Sequence, residues 1–278
     1  MKNWSILEVL NWTTSFFAEK GVPSPRVDAE WLIAHVLELK RIELYTNFQK
    51  PLSPAERERI RNLVVRRANR EPLQYCLGNT QFMDFELEVC KTVLIPRPET
   101  EQLIELIQNW GVKPTSILDI GTGSGAIAIA LAKCFPQAEV TAVDISTEAL
   151  KVARRNAGKY NVDIQFIQSD LFSKSEGKFD LIVSNPPYIS TEEYATLEPE
   201  ITNFEPKEAL LSGNKGLEHI RGIVIGAKKH LSNSGLLFLE IGHKQAESVV
   251  TLAKEQRYSN IEIRKDMNGI ERFVVISW

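Results

Sequence analysis

Cysteine, histidine and methionine are scarce in this chain of 278 residues: three Cys, four His and three Met. Cys76, Cys90 and Cys134 are scattered, with neither metal-ligand spacing nor even pairing. They offer no disulfide framework and read as reduced core thiols. His35, His219, His230 and His243 have no carboxylate or cysteine at a spacing that suggests metal or nucleophilic chemistry, so all four are expected to be structural or solvent-facing. Charge of either sign has little excess, since 33 Lys and Arg against 36 Asp and Glu leave a formal net charge of −3. That balance argues against a protein that coats nucleic acid non-specifically. No apolar run approaches the roughly 20 residues of a membrane span. The opening MKNWSILEVLNWTTSFFAEKG is interrupted by Glu8, Asn11 and Glu19 and lacks the uniform apolar stretch of a signal peptide. A cytoplasmic protein with no membrane partner is the expectation.

What is present divides into three stretches. Residues 1–74 are helical and strand-poor. Ile6, Leu7, Leu10, Thr14 and Phe17 recur at helical spacing, Ser24 and Pro25 start a second helix, and Ser53 with Glu56 has the spacing of a capping box. Arg57, Arg59, Arg61, Arg66, Arg67 and Arg70 crowd the last of these helices. They form either a solvated face opposite Ile60, Leu63 and Val64 or a surface for an anionic partner, protein or RNA. Residues 75–96 read as a β-hairpin linker built from TQFMDFELEV and TVLIPRPET, with Phe82, Phe85, Leu87 and Val89 at period two. Residues 97–278 alternate short β-branched strands with helical stretches, which predicts an α/β fold with a doubly wound, mostly parallel sheet. Its tail reads as two antiparallel strands around Asn268-Gly269.

ILDIGTGSGAIAIALA is a strand, a glycine loop and a helix. Gly121, Gly123 and Gly125 permit close backbone approach to a ligand. With Ala126 the loop also satisfies the dinucleotide fingerprint. Asp144, ending the next strand, is the expected acceptor for ribose hydroxyls under either reading. Asp119 separates the two readings. A carboxylate two residues before the first glycine would repel a pyrophosphate, whereas it would attract S-adenosylmethionine, which carries a sulfonium and an ammonium but no phosphate. Asp170, in QSDLF, is placed to accept from an adenine amine, and Leu171 or Phe172 to cover its face.

VSNPPYIS ends the fourth strand in an amide, two prolines and a tyrosine. Methylating a planar nitrogen requires localising a delocalised lone pair, and acceptors on its N–H groups do this. Asn185 offers a side-chain carbonyl, Pro186 a backbone carbonyl that no ladder claims, and Tyr188 a flat face. Pro186 and Pro187 hold the arrangement still.

NPPY with LDIGTGSG upstream resembles the amino-methyltransferases that act on exocyclic or amide nitrogens. PLQYCLGNTQF, VLIPRPETE and FEPKEALLSGNKGL narrow the resemblance to the bacterial and organellar release-factor glutamine methyltransferases, once known as HemK-type proteins, and it extends over essentially the whole chain. The resemblance implies S-adenosyl-L-methionine as cofactor. It implies methylation of the N5 amide of the glutamine in the Gly-Gly-Gln motif of class 1 peptide chain release factors. The separate helical domain with its arginine-rich helix, which the chemistry itself does not need, is expected to recognise that protein substrate. It places Gly121, Thr122, Gly123, Ser124, Gly125, Asp144, Leu171 and Asn185 at the cofactor and Asn185, Pro186, Pro187 and Tyr188 at the glutamine. Two positions depart from the pattern: Phe204 stands where the family often has tyrosine, and Leu171 where some members carry tryptophan. A nucleic-acid amino-methyltransferase acting on adenine N6 or guanine N2 is the alternative, as is a glutamine methyltransferase of a ribosomal protein. A direct nucleic-acid substrate is not expected. An NAD-dependent enzyme or nucleotide-binding module fails on Asp119 and gives NPPY no role.

Overall fold

The computed structural model describes residues 4–278, so the first three residues of the helical domain expected over 1–74 lie outside the described residues. The chain forms two units, one of residues up to Asn79 together with Glu198–Phe204, the other of Thr80–Leu197 together with Glu205–Trp278.

The first unit contains α1 (Ile6–Glu19), α2 (Pro25–Leu37), α3 (Glu43–Thr46), α4 (Pro54–Ala68) and α5 (Leu73–Leu77). α1 buries Ile6, Val9, Leu10, Thr13 and Phe17. Its core face is therefore rotated from the expected one, and Leu7 and Thr14 are only half-buried. Ser24 takes the N-cap position of α2, but its side chain makes no capping bond, and Pro25 alone shapes that start. The capping box of α4 is present: the Glu56 N–H donates to Ser53 Oγ (3.2 Å) and the Ser53 N–H donates to Glu56 Oε2 (2.7 Å). These bonds from Ser53 hold the Glu56 carboxyl below its ordinary pKa. Ser53→Ala is expected to lower stability by about 1 kcal/mol in denaturant titration, the usual loss for a side-chain cap.

The arginine-rich helix α4 finds its anions inside the chain. Arg67, side chain 6% exposed, donates from Nε to Asp28 Oδ2 at 2.7 Å and from Nη1 to Glu200 Oε1 at 3.1 Å. Arg70 pairs with both oxygens of Glu200 at 2.6 Å, and Arg66 with Glu71 at 2.6 Å. A solvated face thus describes Arg59 and Arg61, which are exposed, but not Arg66, Arg67 or Arg70. Buried guanidinium groups need such partners because an unpaired charge is expensive to desolvate. They also draw Glu200, distant in sequence, into the helical unit.

In the second unit, β1 (Asn79–Phe82) and β2 (Phe85–Glu88) form the expected hairpin, with β1 beginning at the unit boundary. TVLIPRPET is not part of it. Pro96 and Pro98 cannot donate to a ladder, and Pro98 instead opens α6 (Pro98–Asn109). Then follow β3 (Ser116–Ile120), α7 (Ala126–Cys134), β4 (Glu139–Asp144), α8 (Thr147–Tyr160), β5 (Gln165–Gln168) and β6 (Phe179–Ser184). After them come α9 (Thr191–Tyr194), α10 (Pro199–Phe204), which belongs to the first unit, a short 3₁₀ turn at Lys207–Ala209, α11 (Glu218–His230) and β7 (Leu231–Glu240). α12 (Ala246–Glu255), β8 (Asn260–Lys265) and β9 (Glu271–Ser277) complete the chain. The seven-stranded sheet runs β5-β4-β3-β6-β7-β9-β8, parallel through β7 and antiparallel at β9 and β8. Its two faces bury separate apolar cores, one under α6 and α7, the other under α11 and α12. Strand order reverses beside β3, and in such sheets ligands bind at the carboxyl ends next to that reversal. Among the described residues no helix is long and apolar enough to cross a membrane.

Candidate active site

Strand register alone brings the key residues to one edge. Ile120 of β3 pairs with Val143 of β4 on one side and Ser184 of β6 on the other. Ser184 in turn pairs with Leu239 of β7. One residue further along each strand stand Gly121, Asp144, Asn185 and Glu240, side by side where the ladders end. Three of these four, Gly121, Asp144 and Asn185, line a cavity of about 290 Å3, near the lower end of small-molecule sites. Gly123, Asp170, Leu171, Pro186 and Pro187 line it as well.

The glycine loop spends its donors internally. The Gly121 and Thr122 N–H groups both donate to the Val143 carbonyl (2.8 and 3.0 Å), the Gly123 N–H donates to Asp144 Oδ2 (2.9 Å), and the Gly125 N–H donates to the Thr122 carbonyl (2.8 Å). Gly125 must be glycine: its φ is +85°, and a Cβ there would lie 3.2 Å from the Ala153 side chain. A pyrophosphate cradle needs free loop N–H groups; this loop instead presents carboxylates. Asp144 is held by Gly123 and by the Ser146 N–H (2.8 Å), and burial, its largest influence, raises its pKa. Asp119 lies behind the loop, fully buried and outside the cavity lining, and neither carboxylate oxygen has a hydrogen-bond partner. Burial pushes its pKa up to about 7; the charge of Asp144 adds to this, and contacts with Thr122 and the Ala128 backbone, too poorly aligned to be hydrogen bonds, oppose it. Three lining carboxylates (Asp144, Asp170 and Glu208), few free loop donors and no lysine or arginine in the lining suit a cationic ligand without phosphate. S-adenosylmethionine meets that description.

The knot at Asn185 is anchored from beneath. Asn185 Nδ2 donates to Thr100 Oγ1 (2.9 Å), the Thr100 hydroxyl donates to Glu240 Oε2 (2.8 Å), and the Tyr188 hydroxyl donates to Glu240 Oε1 (3.3 Å). Thr100 is 4% exposed and Glu240 not at all. Burial raises the Glu240 pKa to about 7 against the lowering effects of Thr100 and Arg272, and burial likewise pushes the Tyr188 phenol well above its ordinary value. Gln245 fixes the backbone that follows, donating from Nε2 to the carbonyls of Tyr188 (2.9 Å) and Gly216 (3.1 Å). A Cβ on Gly216 would stand 2.2 Å from the Tyr188 carbonyl oxygen, so the approach of these two segments requires glycine.

Several residues stand apart from their expected places. Thr122 and Ser124 are buried in the loop, outside the lining. Tyr188 packs against the second core and Gly242 and does not line the cavity. Phe172 turns toward α11, stacking on His230 at 4.8 Å, while Leu171 alone of the pair faces the cavity, with a left-handed φ of +46°. His219, expected to be structural or solvent-facing, lines the cavity, its Nδ1 2.9 Å from Ser212 Oγ. Thr92, Val93 and Leu94 form another wall. Asn156, buried on α8, donates to the Ser124 and Glu88 carbonyls (2.9 and 3.0 Å) and so ties hairpin to glycine loop. The motifs IPRPE and FEPKE meet through Glu205, which accepts from Arg97 Nη2 at 2.5 Å. No local pattern signals Thr100, Asn156, Glu240 or Gln245, because each reaches its partner from a distant segment.

Residues 8–78 match the family model described as PrmC N-terminal domain, and residues 98–203 the one described as Methyltransferase small domain. A release factor glutamine methyltransferase of Geobacter sulfurreducens is 43% identical over 272 residues, covering 98% of this chain and 96% of that protein. Its counterpart in Rhodopirellula baltica is 41% identical, with 98% and 95% covered. Among solved structures, a ribosomal protein L11 methylase of Lactobacillus delbrueckii subsp. bulgaricus superposes with a TM-score of 0.50 at 26% identity, over 66% of this chain and 81% of that one.

Proposed function

Because the chain belongs to the release factor glutamine methyltransferase family, we propose that it transfers a methyl group from S-adenosyl-L-methionine to the side-chain amide nitrogen of the glutamine in the Gly-Gly-Gln motif of class 1 peptide chain release factors, in the cytoplasm. The observation that carries the chemistry is the direction of the Asn185 bond. Its NH2 donates to Thr100, so its carbonyl oxygen is the atom left for the cavity side.

When bound, the cofactor supplies a methyl group on a sulfonium, already an excellent leaving group. Asp144 would hold the ribose hydroxyls, the loop from Gly121 to Gly125 would face the methionine end, and Asp170 and Leu171 would border the adenine. Asp119 acts through the loop, as a charge behind it. The Asn185 side-chain carbonyl and the Pro186 backbone carbonyl accept from the two N–H groups of the target amide. Electron density returns to the nitrogen, whose lone pair is aimed at the methyl carbon. The rigid Pro186-Pro187 pair prevents either acceptor from turning away, which is preorganisation of the kind worth most in a shielded site. Tyr188, outside the cavity lining, braces the Asn185 knot from behind through its hydroxyl on Glu240. The N–C bond would replace the methyl–sulfur bond, so the sulfonium would leave as a neutral thioether. The nitrogen would give up one proton to solvent at the open side of the cavity, and the product would be a neutral N-methyl amide.

The helical unit is assigned to gripping the release factor outside its reacting loop. Charge reversal at Arg66 or Arg70 is a poor probe of this, because both arginines hold intrachain carboxylates. Arg59 and Arg61, exposed on the same helix, are the ones to reverse. Arg59→Glu with Arg61→Glu is expected to raise KM for whole release factor several-fold in a salt-dependent way, with kcat and cofactor affinity unchanged. Steady-state kinetics at two salt concentrations test this; an unchanged KM removes that face from the docking surface.

Transfer of labelled methyl groups to purified release factor, ribosomal protein and bulk RNA in parallel tests the reading itself. Label on the factor, abolished when its Gly-Gly-Gln glutamine is changed to alanine, supports it. Label on RNA instead supports the nucleic-acid alternative.

A further inference from the structure

Asn185 is a symmetric-looking amide, and its usefulness depends on which end faces the substrate. A carbonyl toward the cavity accepts from the target nitrogen; an NH2 group there would repel its N–H groups. Nothing in the NPPY stretch itself selects between the two orientations. The selection comes from below. The Thr100 hydroxyl has one proton, and Glu240 in its ionised form accepts the hydrogen bond from it at 2.8 Å. The Thr100 oxygen is then left as an acceptor, and only the NH2 end of Asn185 can satisfy it, at 2.9 Å. Tyr188 occupies the other oxygen of Glu240 at 3.3 Å, so both ends of that carboxylate are engaged.

We infer that Thr100 and Glu240 are positioning residues that set the orientation of the Asn185 amide through a one-way hydrogen-bond chain. This rests on the proposed acceptor role of Asn185. Strand register makes the arrangement possible, because Ser184 pairs with Leu239 and the next residues, Asn185 and Glu240, stand side by side just past the end of that ladder, Glu240 still paired with Phe273 of β9. Thr100 enters from the first turn of α6, its backbone N–H bonded to the Arg97 carbonyl at 3.0 Å. Thr100 and Glu240 lie where competing water is largely excluded, so the chain beneath Asn185 has no ready substitute for its donors and acceptors.

The test is a double-mutant cycle on the full chain, with single-turnover rates on a release factor and calorimetric cofactor affinity. Thr100→Val keeps the shape and removes the hydroxyl; it is expected to lower the methyl-transfer rate about 5- to 20-fold, the scale of one lost hydrogen bond, with cofactor affinity within a few-fold. Thr100→Ser restores the hydroxyl and should recover most of the rate. In an Asn185→Ala background Thr100→Val should have almost no further effect, because its target is gone. A purely structural role for Thr100 would add its loss in full to that of Asn185→Ala. That result overturns the inference, and so does a Thr100→Val rate equal to the parent's or a Thr100→Ser enzyme as slow as Thr100→Val. If Asn185→Ala alone leaves the rate intact, the acceptor reading of Asn185 has failed rather than the relay. Should Thr100→Val fail to fold, Thr100→Ala, which also removes the hydroxyl, serves in the same cycle with the same expectations.

Discussion

Asn185→Ala is expected to reduce kcat by about 10²–10³, the usual loss for one preorganised group of a shielded site, while cofactor affinity changes only several-fold. The bond from the Asn185 carbonyl to the target amide strengthens as the N–C bond forms, so its removal acts on the transition state more than on the bound ground state. Asn185→Asp should fall between alanine and the parent. It keeps an acceptor of nearly the same shape, but it gives up the donor that now binds Thr100 and brings a second carboxylate close to Glu240. Tyr188→Phe should be milder than either, because the ring stays and Glu240 keeps its bond from Thr100. Single-turnover rates place the three in order. If alanine and aspartate are equally slow while both ligands still bind, the NH2 group or the shape of the turn matters, not the carbonyl.

Asp119→Ala is expected to weaken cofactor binding by on the order of 1–3 kcal/mol, the scale of a Coulomb interaction acting through the loop at an effective dielectric of about 20. Asp119 does not touch the cavity, so its action is electrostatic, and this predicts a proton signature. Burial leaves its pKa at about 7. A cation held in front of the loop favours the carboxylate, lowers that pKa and releases a proton on binding at near-neutral pH. Affinity should therefore rise as pH increases through about 7, and Asp119→Asn should lose this dependence. The sign for stability is opposite. The pKa is raised from 3.8 in the ordinary group to about 7 in the fold. Stability is full below about pH 4 on this account and is lost as pH climbs toward 7. Relative to the parent, Asp119→Asn should be more stable at pH 8 than at pH 5. Calorimetry in buffers of different ionisation enthalpy measures the proton directly; no proton release together with unchanged mutant affinity would remove Asp119 from the site.

Much of this was readable in the sequence because it is local. The glycine loop, the NPPY knot and the Ser53–Glu56 capping box are set by neighbours within a few residues. The alternation of strands and helices likewise announces a doubly wound sheet. Failures follow long-range partners. The face of α1 is shifted by a residue because α2 and α4 pack against it, and the arginines of α4 look like surface residues in the sequence because Asp28 and Glu200 lie 39 and 133 residues from Arg67. Thr100 and Glu240, 140 residues apart, carry no pattern that links them until the strands are in register. TVLIPRPET looked like a strand by composition, yet its prolines made it a cavity wall and a helix start.

The most direct test of the central claim is fragment mass spectrometry of a class 1 release factor after incubation with this protein and S-adenosyl-L-methionine. The account predicts the mass of one added methyl group confined to the side-chain amide of the Gly-Gly-Gln glutamine, and its near-disappearance with the Asn185→Ala protein. A methyl group on any other residue, or on RNA with the factor left unmodified, would contradict it.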